Sequence, residues 1–407
     1  MKKIVTISAL LLIILSSCDT ILNRHLIKGS DKRKEVHAQF EERVKLIAAY
    51  DSSIYKIINS ELTTKEREGF EFLYAYMPLS DLAMHSPEYV LKNVQLALKA
   101  RKEFKWARKV PADIFLHFVL PYRVNNEYTD NAREIFFEEL KERLLGLDTY
   151  QAALEVNYWC HEKVTYQSTD ERTCGPLTAV RSAFGRCGEE STFAVAAYRS
   201  VGIPARQVYS PRWAHTDDNH AWVEVWVDGK WHFLGACEPE PELDRGWFAG
   251  PAKRAMMTRT FVFGKYNGPE EQLKQTNFYT EINLMPNYAP TRKLTVTVTD
   301  STGNPVEGAK VEYQLYNYAE FYPIATLQTN ANGLCTLTTG IGDLMIWAQK
   351  DNTYAFSKAD RNQNDIYLTL KKEIPFTNLS LTLTPPDEQT IPPYDESTAD
   401  EHNRRVK

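Results

Sequence analysis

The chain has 407 residues, with 48 Lys and Arg against 53 Asp and Glu and a formal net charge of −5 at pH 7. This balance, without a dense basic run, excludes nucleic acid as an expected partner. With 43% hydrophobic residues, the chain can bury more than one core, so we expect two or three domains. The six cysteines include no C-x-x-C pair, so we expect no structural zinc site, and no other motif calls for a metal or a cofactor. An oxidising compartment would permit a bridge such as Cys160 with Cys174, but the sequence leaves the connectivity open.

The N-terminal segment has the features of a secretory signal peptide. Two lysines precede an apolar run over 4–15 that is too short for a permanent membrane span, and small residues follow it. The word L-S-S-C at 15–18 resembles the lipobox of bacterial lipoproteins. The resemblance implies a signal peptide over 1–18 and a lipid on Cys18, where each buried methylene would add about 0.8 kcal/mol of membrane binding. We therefore expect lipid anchoring in a bacterial cell envelope, at the periplasmic or surface face of the outer membrane; the alternative is a simple cleaved signal with a chance cysteine.

Residues 32–149 are expected to form a helical domain. Apolar residues such as Phe40, Val44 and Ile47 keep the spacing of one buried helix face. Prolines in this region mark helix ends or first turns. The region holds no catalytic constellation, so we predict a domain that packs on the next one.

The segment 150–286 changes from a helical pattern to a strand pattern in its second half. The β-branched and aromatic run 221–227 is followed by Asp228 and Gly229, a pair typical of two-residue hairpin turns. Residues 230–234 then return as a partner strand. This order predicts a β-hairpin inside a mixed domain.

The C-terminal third has an all-β pattern. From 291 to 371, short strand patterns alternate with turn signals, which predicts a small β-sandwich. The words over 303–311 and 329–333 resemble the carboxypeptidase-regulatory-like, prealbumin-type sandwich that is appended to secreted enzymes. Residues 372–407 contain two Pro-Pro pairs and an acidic patch, the composition of a Pro-rich linker or disordered tail. We expect the residues after Asp387 to lack structure of their own.

Cys187 is the first candidate for chemistry. It follows a glycine-bracketed turn and precedes a helical pattern, so its thiol is expected at a helix N-terminus. There the helix dipole and the unsatisfied amides favour a thiolate, although Glu189 and Glu190 oppose this effect. His220 lies 33 positions later at the mouth of the predicted hairpin, from which a base can reach a thiolate. A cysteine without such a neighbour is usually a small buried hydrophobe.

Four words in the right order resemble the transglutaminase-like superfamily, whose fold is papain-like. They are G-R-C at 185–187, G-I-P-A-R at 202–206, H-A-W-V-E-V at 220–225 and the tryptophan at 231. The resemblance implies that Cys187 is a nucleophile, that His220 is its base, and that a thioester is formed. With the flanking regions, it predicts an α+β fold: a papain-like, transglutaminase-type core, an N-terminal helical domain and a C-terminal all-β sandwich.

One position departs from the family pattern. The family places an aspartate four residues after that tryptophan, where it orients the histidine, and this chain has Gly235 there. Because a third member fixes the tautomer and stabilises the imidazolium, its loss would weaken catalysis without erasing the pair. Glu238 is the nearest substitute and is predicted to complete the catalytic site, with Glu240 and Asp244 as longer reaches. The alternative for Glu238 is a solvated loop acid.

Two classes of function remain open. The first is an envelope-tethered cysteine protease, amidase or cross-linking enzyme, whose thioester passes to water or to an amine. Its substrate would be a peptide or protein, including a glycopeptide or cell-wall peptide. The second is a catalytically inactive module that binds a glycan or peptide at the cell surface, and Gly235 favours it. A third hypothesis makes the chain part of a larger surface assembly, because it stops in a charged run after a proline-rich segment.

Overall fold

The computed structural model describes residues 25–168, 173–374, 378, 380–391 and 396–406. The expected signal peptide and the lipidation site Cys18 lie outside the described residues. A search of the described residues for a membrane-crossing helix gives no candidate. The expected α+β fold class is confirmed, with a helical N-terminal part, a mixed central core and an all-β C-terminal part.

The N-terminal part is a series of helices between residues 30 and 161. They are α1 (Ser30–Ile47), α2 (Ile54–Ile58), α3 (Thr64–Tyr76), α4 (Leu79–Met84), α5 (Pro87–Glu103), α6 (Lys105–Lys109), α7 (Ala112–Phe118), α8 (Ala132–Arg143) and α9 (Thr149–His161). Capping boxes begin two of them, with Thr63 and Glu66 before α3 and with Asp148 and Gln151 before α9. Apolar side chains of α5, α8 and α9 share one buried core with the central sheet, so these helices pack directly on it.

The central core is a six-stranded sheet with a helix packed against it. Its elements are β1 (Thr165–Tyr166), α10 (Pro176–Ser182), β2 (Phe184–Gly185), α11 (Cys187–Ser200), β3 (Ala205–Ser210), β4 (His220–Val227), β5 (Lys230–Leu234), α12 (Ala249–Lys253), β6 (Arg259–Phe263), β7 (Gln272–Gln275) and β8 (Tyr279–Asn283). The sheet order is β5-β4-β3-β6-β8-β7, while β1 and β2 form a separate parallel pair. Helix α11 packs against β3 and β4.

The predicted β-hairpin is confirmed as β4 and β5. Val223 pairs with Leu234 in an antiparallel register. Asp228 and Gly229 have φ values of 48° and 98°, the left-handed conformation that a type I′ turn needs at both central positions. This turn fixes the register and so places His220 at the far end of the hairpin, beside the last residue of β3.

A buried ion network explains why two of the sequence words occur together. Arg206 on β3 is the cross-strand partner of Glu224 on β4, and its Nε lies 2.6 Å from Glu224 Oε2. Its Nη1 lies 2.9 Å from Glu270 Oε1, and its guanidinium stacks 4.0 Å from the Trp231 ring centroid. A buried guanidinium is tolerated only with such partners, so the arginine and glutamate of the two words hold β3 and β4 together.

The C-terminal part consists of two sheets around one core. Its strands are β9 (Thr291–Thr299), β10 (Lys310–Asn317), β11 (Glu320–Gln328), β12 (Leu334–Gly340), β13 (Leu344–Lys350), β14 (Thr353–Ala359) and β15 (Asp365–Thr369). The sheet orders are β11-β10-β13-β14 and β12-β9-β15, with β9 and β15 parallel. Buried residues of both sheets belong to one apolar cluster, as a sandwich requires. The resemblance of this part to the carboxypeptidase-regulatory-like family stays a prediction.

The C-terminal tail differs from the expectation that it lacks structure after Asp387. Residues Glu396–Arg405 form helix α13. The Arg405 guanidinium lies 3.6 Å from the Tyr158 ring centroid, and its Nη2 lies 2.8 Å from Glu155 Oε2. Arg361 also binds Asp387, with an Nη1–Oδ1 distance of 2.9 Å. Composition alone could not predict these contacts, because they depend on partners far away in the sequence.

Candidate active site

Cys187 is the first residue of α11, as the sequence predicts. Residue Arg186 caps the helix, and its backbone N–H donates to Glu189 Oε2 at 2.9 Å. A Cβ atom on Gly185 would lie 2.8 Å from Glu189 Cβ, so only glycine fits at this close approach. The glycine two positions before the cysteine therefore lets the chain turn directly from β2 into the helix.

The fold brings Cys187 and the start of β4 together. Helix α11 packs on β4, and the backbone amide of Ala221 is close enough to the Cys187 sulfur to lower the pKa of the thiol. Ala221 directly follows His220, the first residue of the strand. Both candidate residues therefore lie at the same corner of the core, although they come from different elements.

The thiol is not activated in the manner that the helix position predicts. Burial raises the pKa of Cys187 above its ordinary value. The nearby Ala221 amide and the charge of Arg186 lower it, while Glu190 and Asp218, in their ionised forms, raise it further. Since burial is the largest cause, the resting sulfur is a neutral thiol at neutral pH.

His220 is enclosed by aromatic rings. Its ring centroid lies 4.7 Å from that of Trp247, 5.0 Å from that of Phe248 and 5.8 Å from that of Trp222. The residue is only 7% exposed. Burial lowers its pKa to about 4, so the imidazole is neutral at pH 7 and is able to accept a proton.

Glu238 lies near this site, but its carboxylate contacts another residue. Its Oε2 accepts a hydrogen bond from Trp247 Nε1 at 3.0 Å, and burial raises its pKa. Among the described residues, nothing hydrogen-bonds to the buried Nε2 of His220. The orienting role predicted for Glu238 therefore stays a prediction. Asp244, one of the more distant acids considered, contacts a different histidine, because its Oδ2 lies 2.7 Å from His232 Nδ1.

The geometry does explain how Glu238 relates to Gly235. A Cβ atom on Gly235 would lie 2.8 Å from Glu238 Oε2 and 3.0 Å from Glu238 Cβ. The glutamate side chain thus folds back over the space that a side chain at position 235 would occupy. The family aspartate and this glutamate compete for one space, and Trp247 lies between the glutamate and His220.

Sequence reasoning missed two exposed aromatic residues at the site. Tyr166 on β1 is 58% exposed and pairs with Gly185, two residues before Cys187; burial, and then the thiolate form of Cys187, raise its pKa. Trp247 is 60% exposed, although it packs on His220. A two-residue strand leaves no periodic pattern, and Trp247 lies in a loop, so neither residue stands out in the sequence.

Residues 139–236 match the family model of the transglutaminase-like superfamily. The matched span contains Cys187, His220 and Gly235 and ends before Glu238. The chain therefore has a transglutaminase-like core. None of the curated proteins compared with the chain matches it.

Several solved structures are similar to parts of the chain. One is a protein of Cytophaga hutchinsonii described as a candidate cysteine protease, with 15% identity, 44% of this chain and 66% of that chain covered, and a TM-score of 0.27. A second is red sea bream transglutaminase, with 9% identity, 64% and 59% covered, and a TM-score of 0.26. A third is a streptococcal ancillary pilin, with 9% identity, 41% and 62% covered, and a TM-score of 0.18. The chain covers less than two thirds of the length of each of these structures.

Proposed function

We propose that this protein is a cysteine acyl-transfer enzyme in which Cys187 forms a thioester with an amide carbonyl. The observation that carries the proposal is the packing of α11, which begins at Cys187, on β4, which begins at His220. The backbone amide of Ala221, the residue after His220, is close enough to the Cys187 sulfur to lower the pKa of the thiol. A cysteine at a helix start with a histidine on a neighbouring strand is the arrangement that acyl transfer uses on unrelated folds.

The protonation states define the first step. Both side chains are neutral at pH 7, because burial raises the pKa of the Cys187 thiol and lowers that of His220. The sulfur attacks the amide carbonyl while its proton moves to the imidazole. The imidazolium and the negative charge on the carbonyl oxygen are therefore formed together, as the carbon–sulfur bond is made. The imidazolium then gives this proton to the departing amine nitrogen, which leaves an acyl thioester on the enzyme. Water or a second amine attacks the thioester, and His220 takes the proton of that nucleophile and returns it to the sulfur.

We propose two groups as hydrogen-bond donors to the oxyanion. The backbone N–H of Cys187 is one of the first amides of α11, and such amides have no partner within the helix. The hydroxyl of Tyr166 is the second candidate, since its ring lies near enough to the sulfur for the two charges to interact. We propose that both donate to the carbonyl oxygen once negative charge develops on it.

We propose a peptide or protein substrate, including cell-wall peptides. The exposed rings of Tyr166 and Trp247 lie beside the reactive pair and supply apolar walls for an extended chain. A lipid on Cys18, as its sequence word implies, would tether the enzyme to an envelope membrane. Peptidase, amidase and transamidase activity follow from the same thioester and differ only in the final acceptor.

A second candidate function is supported by one observation. His220 Nε2 is buried without a hydrogen-bond partner among the described residues, and Gly235 replaces the expected aspartate. A site without an orienting acid fits a module that binds a peptide or glycan and no longer turns it over. In that case the cleft keeps its shape while the thiol has no effective base.

Acylation by a small activated ester separates these two functions, because such an ester needs no recognition by the cleft. The full chain is treated with p-nitrophenyl acetate at pH 7, and each cysteine peptide is followed by mass spectrometry. We expect acetylation of Cys187 to be at least 100-fold faster than that of Cys174 and to slow about 100-fold in His220→Gln, since general-base catalysis contributes on the order of 10²–10⁴. Addition of a primary amine would accelerate deacylation if transfer is favoured over hydrolysis.

The Cys174→Ala variant is the matched control and should leave acetylation of Cys187 unchanged. Equal acetylation rates for Cys187 and Cys174, or a Cys187 rate that is unaffected in His220→Gln, would contradict the enzymatic proposal and favour the binding module.

A further inference from the structure

The last turn of α9 is attached to the turn that follows β5. Asn157 donates from Nδ2 to the Gly235 carbonyl at 2.8 Å and accepts at Oδ1 from the Cys237 backbone N–H at 3.0 Å. His161 Nδ1 lies 3.0 Å from the Cys237 carbonyl oxygen. Two helix residues thus contact both sides of Cys237, and Cys160 lies between them in the sequence.

The two thiols in this contact are neighbours. The Cys160 and Cys237 side chains interact with each other, and they are 0% and 2% exposed. Cys237 has a φ of +59°, a left-handed conformation that is uncommon for residues other than glycine. The surrounding contacts therefore hold Cys237 in a strained backbone conformation. Its sulfur lies between Cys160 of α9 and the backbone of α11, where the Glu190 carbonyl oxygen is 3.9 Å away.

We infer that Cys160 and Cys237 form a disulfide when the protein folds in an oxidising compartment. The oxidant is a disulfide of another molecule. A thiolate of one cysteine attacks that disulfide and releases one thiol, and the second cysteine then displaces the other thiol. The pair loses two protons and two electrons, while the reagent disulfide is reduced to two thiols. All five described cysteines are free in this structure.

The contacts favour this pair over a bridge between Cys160 and Cys174, which the sequence alone permits. Cys174 is half-buried, and the charges that act on it are those of Glu189 and Asp130. Those acting on Cys237 are those of Cys160, Glu190 and Glu238. Cys160 is among the groups that act on Cys237 and is not among those that act on Cys174, so the closer partner of Cys160 is Cys237.

The bridge would connect the site to the helical part. In the sequence, Cys237 follows Gly235 by two positions and directly precedes Glu238. A bond to Cys160 would fix this turn on α9 and close a loop of about 77 residues, which restricts the unfolded chain strongly. The inference does not depend on the proposed function, because it concerns only two buried thiols and their contacts.

The test uses the full chain refolded from denaturant in a mixture of reduced and oxidised glutathione, so that the thiols are accessible before they are buried. Free thiols are alkylated, and the peptides are separated without reductant. We expect one linked peptide pair that contains Cys160 and Cys237, two mass units lighter than the reduced pair, and a melting temperature several degrees higher than in dithiothreitol.

Four single variants make the result specific. Cys160→Ser and Cys237→Ser should each remove the link and the effect of reductant on the melting temperature, while Cys174→Ser and Cys335→Ser should keep both. Alkylation of Cys160 and Cys237 as free thiols after refolding would overturn the inference, as would a link of either residue to Cys174 or glutathione adducts without the internal bond. Because the linkage is read directly from the peptides of the wild-type chain, a variant that fails to fold does not affect the decision.

Discussion

His220 is held by ring contacts in place of a carboxylate. Trp247, Phe248 and Trp222 surround the imidazole, and Glu238 hydrogen-bonds to the indole of Trp247. Packing on several rings restricts the orientation of a side chain, but it does not stabilise the imidazolium as an anion does. A glycine in place of an aspartate at position 235 therefore leaves the neutral imidazole oriented by packing, but it leaves the imidazolium without a stabilising anion.

Restoring the aspartate tests this interpretation. Gly235→Asp alone would place its Cβ 2.8 Å from Glu238 Oε2, so the glutamate must move. We expect Gly235→Asp combined with Glu238→Ala to accommodate the new carboxylate, to raise the pKa of His220 well above 4 and to increase the rate of Cys187 acylation about 10-fold or more.

Two measurements check this variant. NMR titration of the His220 ring gives its pKa, and p-nitrophenyl acetate acylation gives the rate. The single variant Glu238→Ala is the control and should raise neither quantity. A double variant with unchanged histidine pKa would show that position 235 does not face His220 Nε2.

The sequence words predicted the positions of Cys187 and His220 because they encode local geometry. A glycine turn before a helix placed Cys187, and the hairpin turn placed His220. The direction of the thiol pKa could not be predicted in this way, because burial of the sulfur depends on the packing of α11 against β4. The contact between Glu238 and Trp247 could not be predicted from the sequence either, because it depends on a loop conformation.

The first turn of α11 carries a buried acid close behind Cys187. Glu190 is 2% exposed, and its Oε1 has no hydrogen-bond partner among the described residues. Burial, followed by the charges of Glu238 and Glu189, raises its pKa to about 9. This carboxyl is therefore protonated at neutral pH in the folded protein, and it ionises on unfolding.

The Glu190 carboxyl makes the free energy of unfolding depend on pH. The folded pKa is above the unfolded value of 4.5, so the folded state binds more protons between pH 4.5 and about 9. The stabilisation is complete below pH 4.5 and is lost as the pH rises towards 9, at up to about 1.4 kcal/mol per pH unit. We expect Glu190→Gln, which stays neutral, to remove this dependence.

Thermal unfolding at pH 5 and pH 8 provides the measurement. The melting temperature of Glu190→Gln relative to wild type should be several degrees higher at pH 8 than at pH 5. Glu307→Gln is the control at an exposed position and should show no such trend. A parallel pH dependence in wild type and Glu190→Gln would mean that Glu190 is ionised in the folded state.

The whole molecule depends on a close contact between the helical part and the core. Trp106 Nε1 donates to the Val201 carbonyl at 3.0 Å. Gly202 has a φ of +74°, and a Cβ atom there would lie 2.6 Å from Ala107 Cβ. The glycine of the G-I-P-A-R word is therefore needed twice, for its backbone conformation and for the approach of α6.

A pair of glycine substitutions separates these two requirements. Gly202→Ala should lower the free energy of unfolding by about 2–4 kcal/mol, from about 1–2 kcal/mol of backbone strain and a further penalty for overpacking. Gly229→Ala has a φ of +98° and no atom within 4 Å of the added Cβ, so it should show the backbone strain alone. Urea denaturation measures both.

Ala107→Gly should recover most of the difference in the Gly202→Ala background. Equal losses for Gly202→Ala and Gly229→Ala would show that the helices do not approach the core as closely as the structure has them. At this scale the sequence predicted the order of helical, mixed and all-β regions from periodicity. It could not predict how they pack, because the contacts of Trp106 and Arg405 join residues far apart in the chain.

The pH dependence of Cys187 alkylation tests most directly whether the thiol and His220 share a proton. Iodoacetamide labelling of the reduced full chain is measured by mass spectrometry from pH 3.5 to 9, with Cys174 as the internal control. Because the His220 pKa is about 4, the imidazole accepts protons over nearly this whole range. We expect Cys187 to label faster than Cys174 above pH 5, to lose this advantage near pH 4, and to lose it at every pH in His220→Gln. Labelling of Cys187 that follows only its own raised pKa, with the same profile in wild type and His220→Gln, would contradict the account.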